Sequence, residues 1–361
     1  MTNVDESRRV APPVAAVKRL AGGFALGTFW DRWGITSVLV LLVVAAMIVQ
    51  PGVERGAFLN ILNITSLLKE AAYLGIVACA MTFAVINGTF DLSVGGQLAL
   101  VSVVSLIAFG IGGSGLAIAA AIFIGLACGL VNSVLVTALR VPPFVATLGM
   151  LFVFRGVATL LTADGPAKLP YEDYGSAFGQ IGKITFVGIP LVFVIMVAFF
   201  AIGYVILRRT RLGRQVVAFG SSPSAAKFSG ISAVKIRFFV FMFLGLSVGI
   251  AALTYVTRIG TADGAAQDGF ELRVITAAVL GGASLQGGKG SLVGTFSAVM
   301  LVTVLNDLFR DLHVESAWQR IILGCVLVVA LAIDGLRTKF PGSSKLRRAL
   351  ALRKQRTARA G

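Results

Sequence analysis

Apolar residues in this chain come in long uninterrupted runs, neither alternating nor confined to one stripe per helical turn. The runs fall at roughly 34–52, 67–86, 92–110, 115–138, 142–162, 184–207, 236–257, 273–286, 290–309 and 316–336. Most approach the ~20 residues that carry a helix across the hydrocarbon core of a bilayer. Strands of a membrane barrel would alternate in polarity, and these runs do not. The pattern predicts an all-α fold: a polytopic membrane helical bundle of about ten spans by the length criterion. The eighth run, 273–286, is too short to cross alone.

Between the second and third runs the chain reads "NGTFDLSVGG" (87–96), placing one carboxylate, Asp91, among apolar neighbours. A second glycine-rich interruption, "LGGASLQGGKGSLVG" (280–294), separates the eighth and ninth runs. Each has the order apolar run, glycine-containing break, apolar run, so the bundle is expected to hold broken helices in two related halves. Similar breaks in corresponding positions of two halves point to a transport pathway. Two readings of Asp91 stand. It can cap the helix expected to start at Leu92, or it can line a cavity and bind a polar solute. An intramembrane Asp costs roughly 2.5–3.5 kcal/mol, more than a cap returns at about 1 kcal/mol. Arg155, in "TLGMLFVFRGVATLLT", is the other intramembrane charge and is read as an ion pair holding the bundle or as a side chain reaching the interface.

Composition agrees with a membrane solvent: the 361 residues are 57% hydrophobic and 13% charged, against roughly a quarter charged in soluble domains. Mean hydropathy is +0.90. The net charge of +16 raises the question of nucleic acid, and its distribution answers it. Bases without acids fill the segment Leu207–Arg237 and everything after Asp334, whereas 163–183 and 258–273 are mixed. Lys/Arg excess marks the cytoplasmic side. Both termini and the 208–236 loop are therefore expected in the cytoplasm, with six spans before that loop and four after. The expected organisation is a tail at 1–33, a permease-like transmembrane domain at 34–336 and a basic tail at 337–361. The basic tail is read as contacting anionic lipid rather than nucleic acid.

Catalytic chemistry is poorly supplied. Lys289 follows Gly288, but Ala283 and Gly290 occupy the two positions where a phosphate-binding loop needs glycine and Ser or Thr. No Ser-His-Asp, Cys-His or paired-carboxylate arrangement appears, and His313 is the one histidine. Cys79, Cys128 and Cys325 fall inside expected spans and show no metal-ligand spacing. No metal site, no cofactor of the chain's own and no cleavable signal peptide are expected. Nucleotide chemistry, if used, must belong to a partner.

Four stretches together resemble the membrane-spanning permease of bacterial ATP-binding cassette (ABC) importers for monosaccharides, the ribose/xylose/galactose branch. They are "GTFDLSVGG", "VPPFVATLGMLFVFRGVATLLT" (141–162), "GRQVVAFGSSPSAAKFSGI" (213–231) and "GFELRVITAAVLGGASLQGGKGSLVGT" (269–295). The similarity runs in order from about residue 67 to 335. It implies a non-enzymatic subunit of the bacterial inner membrane that forms the translocation pathway for a pentose or hexose. A periplasmic sugar-binding protein would deliver the solute, a second permease subunit would complete the pathway, and a cytoplasmic ATPase would bind ATP and Mg. The resemblance places the pathway at Asn87, Asp91, Ser93, Phe144 and Thr147. It places a coupling helix for the ATPase at Ser222, Pro223, Ala225, Ala226, Gly230 and Ile231. Serine before proline suits a helix start there, and Gly230 a stop. Members of the branch often have Asn and Glu where this chain has Ser222 and Ser224, which alters the polar contacts available to the ATPase. Gly149 and Gly156 are compatible with close helix approach, and ordinary packing is the reading favoured for both. Alternatives are an ABC permease for a polyol or a branched-chain amino acid, an ion-coupled secondary transporter, and a membrane enzyme. The secondary transporter would ordinarily carry more intramembrane carboxylates or histidines.

Overall fold

The computed structural model of the chain describes residues 34–50 and 58–332, apart from 187, 266, 316, 320, 323, 327, 330 and 331. The segments 1–33 and 337–361, and the end of the tenth expected span, lie outside the described residues. In chain order the helices are α1 (Gly34–Val49), α2 (Ile61–Asn87), α3 (Val94–Thr137), α4 (Pro143–Leu161), α5 (Ala177–Ile181) and α6 (Leu191–Arg209). They continue with α7 (Arg211–Ser221), α8 (Pro223–Phe228), α9 (Ala233–Ile259), α10 (Phe270–Leu280), α11 (Leu292–Asp311) and α12 (Ala317–Val326). Six of them, α2, α3, α4, α6, α9 and α11, are long and apolar enough to cross a membrane. The fold is predominantly helical. Its strands are two-residue pairs: Ala167–Lys168 antiparallel to Thr261–Ala262, and Thr185–Phe186 to Ile189–Pro190.

α3 has 44 residues, and a straight helix of that length would reach about 66 Å, twice a bilayer core. It does not run straight. Gly112 and Gly113 leave helical geometry, with φ/ψ of −144/20° and 68/−159°. Ser105 Oγ then donates to the Ala117 carbonyl at 3.0 Å, a contact between residues that a straight helix would hold about 18 Å apart. The chain reverses at the glycine pair, so α3 is a hairpin of two arms, Val94–Ile111 and Ser114–Thr137. Glycine is required at 113 because its positive φ disfavours a side chain.

α2 is the central helix: every residue from Ala71 to Asn87 is buried. The second arm of α3 packs on α9 with little between the backbones. A Cβ at Gly125 would stand 2.5 Å from the Gly245 carbonyl oxygen and 2.9 Å from Gly249 N. Gly129 meets the Gly245 Cα at 3.2 Å in the same way. Two small-xxx-small pairs, 125/129 and 245/249, thus face each other, the arrangement that lets membrane helices approach without a hydrophobic driving force. Gly149 and Gly156 play no such part; open space lies beside each.

α10 is 11 residues, about 16 Å, and cannot span a bilayer. The sequence placed this element at 273–286. The helix instead starts at Phe270 and stops at Leu280, because Gly282 takes φ 94°, outside the helical range. α2 begins earlier than the expected 67, at Ile61, where the Asn60 side chain accepts from Leu62 N at 2.9 Å.

Candidate functional site

The first interruption begins where α2 ends in left-handed Gly88 (φ 73°), with Thr89 N donating to the Ala84 carbonyl at 2.9 Å. The chain turns through Phe90–Ser93, and α3 begins at Val94 rather than at Leu92. Asp91 organises this turn. Its Oδ1 accepts from Ser93 N at 2.8 Å and Ser93 Oγ at 2.5 Å; its Oδ2 accepts from Asn132 Nδ2 at 3.1 Å and Gln97 Nε2 at 3.3 Å. The carboxylate therefore holds the turn before α3 and fastens it to the second arm of the same hairpin, while the N-cap position of α3, Ser93, makes no side-chain cap hydrogen bond. Asp91, Ser93, Gln97 and Asn132 are all fully buried. Four donors to one carboxylate are what a membrane interior demands of a buried charge.

Of the residues expected on a pathway, the structure gathers Asn87, Asp91, Ser93 and Thr147. Asn87 Nδ2 donates to Thr89 Oγ1 at 3.0 Å, and Thr147 Oγ1 donates to the Pro143 and Phe90 carbonyls at 2.9 and 3.3 Å. Phe144 is not in this cluster; it lies on the exposed face of α4. Gln97 and Asn132, unnoticed in the sequence, are integral to the cluster. Three amide oxygens around it, Asn87 Oδ1, Gln97 Oε1 and Asn132 Oδ1, are buried without a partner. The cluster is thus rich in acceptors that only a hydroxyl, water or another donor can satisfy.

The second interruption, 281–291, is built from backbone. A Cβ at Gly281 would overlap the backbone of Gly294 and Thr295, which brings the end of α10 against the start of α11. Ser291 caps α11 by accepting from Gly294 N at 3.1 Å. The two interruptions touch. Gly288 N donates to the Ile86 carbonyl at 2.7 Å, and Thr82 Oγ1 lies 2.9 Å from Thr295 Oγ1.

α7 joins them there. A Cβ at Gly220 would overlap the Ile86 carbonyl and stand 2.7 Å from Gly288 N. Helix α7 was not foreseen as a separate element; its signal was the amphipathic "RLGRQVVAFGS", which buries Val216 and Phe219. Ser222 caps α8, accepting from Ala225 N at 3.4 Å, and Pro223 takes the first position. α8 ends two residues before Gly230, whose φ is 78°. Ile231 N returns to the Ala226 carbonyl at 3.0 Å, closing the motif over buried Ala226. Phe228, on the last turn, is 93% exposed.

At the end of the bundle opposite α7 and α8, a cavity of about 600 Å³ opens among α2, α9, α10, α11 and α12. That size suits a small organic ligand. Glu70 on its wall accepts from Arg310 Nη2 at 3.0 Å and lies 3.5 Å from Arg258 Nη2. Asp268, also on the wall, is ion-paired with Arg155 of α4. Arg155 is thus an ion-pair partner within the bundle. Glu70 and Arg258 escaped the sequence reading because one lies near the start of the run 67–86 and the other just past the end of the run 236–257, where charge is unremarkable.

Among the described residues no three His, Cys, Asp or Glu side chains gather to hold a metal ion. The buried clusters can bind and orient neutral polar groups; they hold no nucleophile paired with a base.

Comparisons with known proteins identify the family. Residues 63–331 match the family described as branched-chain amino acid transport system / permease component. The chain is 35% identical over 301 residues to the ribose import permease protein RbsC of Escherichia coli (strain K12), covering 82% of this chain and 92% of that protein. It is 32% identical over 343 residues to the L-arabinose ABC transporter permease protein AraH of Azospirillum brasilense, covering 93% and 97%. It is 29% identical over 308 residues to the fructose import permease protein FrcC of Rhizobium meliloti, covering 82% and 84%. No solved structure matches.

Proposed function

The chain belongs to the family of branched-chain amino acid transport system permease components, and on that premise we propose that it is the membrane permease of an ATP-driven importer for a monosaccharide. The choice of sugar over amino acid rests on the relatives, named for ribose, arabinose and fructose import, and on the acceptor-rich cluster at the first interruption. Buried acceptors lacking donors suit a hydroxyl-bearing solute better than an amino acid's paired charges. A substrate-binding protein delivers the sugar at the face that carries the Glu70 cavity. An ATPase, holding ATP and Mg, docks at α7 and α8 and hydrolyses the nucleotide.

In this reading the chain crosses the bacterial inner membrane about ten times, with α3 counted as two spans and α10 together with the 281–291 segment that follows it as one. The halves containing the two interruptions are related, and both termini are cytoplasmic by the positive-inside rule. Asn87, Asp91, Ser93 and Thr147 form the part of the pathway that opens during transport. Phe144, on the exposed face of α4, faces the pathway formed with a second permease subunit, and the remaining exposed apolar faces meet lipid. Ser222, Pro223, Ala225, Ala226, Gly230 and Ile231 shape the element that the ATPase engages.

The single observation carrying this reading is the contact of a basic, acid-free segment, through Gly220, with both interruptions. Its test is uptake of labelled pentoses, hexoses and polyols into proteoliposomes holding the chain with its ATPase, with binding protein outside, ATP inside, and proton and sodium gradients collapsed. Sugar uptake that needs both ATP and binding protein is expected. Uptake that instead follows an ion gradient without them would overturn the reading.

A further inference from the structure

Two ionic side chains, one on α4 and one in the first turn of α10, are left incompletely paired. Glu271, at the start of α10, is 8% exposed, and its Oε2 has no hydrogen-bond partner. Arg155 commits Nη1 to Asp268, yet its Nε and Nη2 are buried without partners. The two groups are close neighbours. Both lie against Gly95 in the first turn of α3, where a Cβ would overlap Glu271 Oε2 and stand 3.4 Å from Arg155 Nη2. Even so, no ion pair within 4.0 Å joins them.

A guanidinium and a carboxylate at such range normally close into a direct, often bidentate pair. Here the separation suits one intervening oxygen, hydrogen-bonded to each at about 2.8 Å. A hydroxyl fits because it accepts from the guanidinium and donates to the carboxylate. An anion would be repelled by Glu271 and a cation by Arg155, so the pair selects a neutral group. Asp268 both pairs with Arg155 and forms part of the wall of the 600 Å³ cavity. The gap therefore lies one ion pair behind that cavity. Asp268 is 71% exposed, and its neighbour Gly269 has φ 74°.

We propose that Arg155 and Glu271 form a seat for one neutral hydroxyl oxygen of the transported solute, reached from the cavity when Asp268 withdraws from Arg155. The proposal rests on the transport reading above. The same chemistry is offered by a water molecule, and the experiment separates the two sources.

The experiment uses reconstituted full-length chain with its ATPase and binding protein. Maximal uptake rates are compared for the transported sugar and its series of monodeoxy analogues, each at a concentration saturating the binding protein. For the wild type, one deoxy analogue is expected to move at least tenfold more slowly than the parent sugar, despite equal stimulation of ATP hydrolysis. In Glu271→Gln, and separately in Arg155→Lys, that difference is expected to shrink below threefold. Should either variant fail to insert, the other carries the test. Should both fail, the wild-type series decides, because equal maximal rates for every deoxy analogue would overturn the seat. Variants that lose thermal stability while keeping the analogue ranking would also overturn it, showing that the oxygen is water. Absence of ATP-driven uptake in the wild type would strike the transport reading itself, before the seat is tested.

Discussion

The two helix interruptions of this bundle solve one problem by different means. At the first, a charged side chain gathers donors: Ser93, Gln97 and Asn132 all turn toward Asp91. At the second, the junction is made by backbone. Glycines let the backbone of Gly281 approach that of Thr295, and serine caps the next helix. A side-chain hub is directional and fails when its one central group is removed. A backbone junction is tolerant of side-chain polarity and fails when any bulk is added. The contrast teaches that a membrane helix can be broken by supplying acceptors or by withholding side chains, each with its own vulnerability.

That contrast can be broken or sharpened by substitution. The largest effect is expected for Gly220→Leu, since its side chain must displace the Ile86 carbonyl and Gly288 N, which cannot rotate away. Folded yield and uptake should both fall to background, read by size-exclusion profile and labelled sugar. Next, Asp91→Asn places an amide group among four donors and should cost about 2–3 kcal/mol, the range for losing hydrogen bonds to a charged group. Thermal unfolding in detergent measures this. A loss of uptake with unchanged stability would instead assign the carboxylate directly to the solute. At the second interruption Ser291→Ala removes one cap and should cost only about 1 kcal/mol. If it cost as much as Asp91→Asn, the distinction between hub and backbone junction would disappear. Smallest in stability is Ser222→Ala, at about 0.5 kcal/mol for an exposed cap. Its signature should be weaker co-purification of the ATPase at unchanged melting temperature.

Much of this architecture was legible in residue order because a membrane imposes coarse rules. Long apolar runs, the gap at 111–114 between the third and fourth of them, and the Ser222-Pro223 helix start are all local signals. What the sequence hid is through-space pairing. Asn132 sits 41 residues from Asp91, and nothing near either one announces the other. The 125/129 and 245/249 glycine pairs are visible as spacings, but which spacing meets which depends on the packing of α3 and α9. Gly149 and Gly156, seven residues apart on α4, have open space beside them. The eighth run was carried through Gly281 and Gly282 because its composition stays apolar, whereas backbone conformation ended the helix.

The junction of Gly220 with Ile86 and Gly288 has a mechanical meaning. Where helices meet through side chains, rotamer changes take up small displacements and the contact behaves as a soft spring. Here peptide group meets peptide group, with a 2.7 Å hydrogen bond from Gly288 to Ile86 closing the set, and no side-chain torsion is available to yield. A push on α8 that shifts α7 is therefore transmitted to both interruptions with little loss of stroke. The same stiffness leaves α7 unable to move alone, so work done at this end of the bundle is delivered to its interior and not dissipated at the surface.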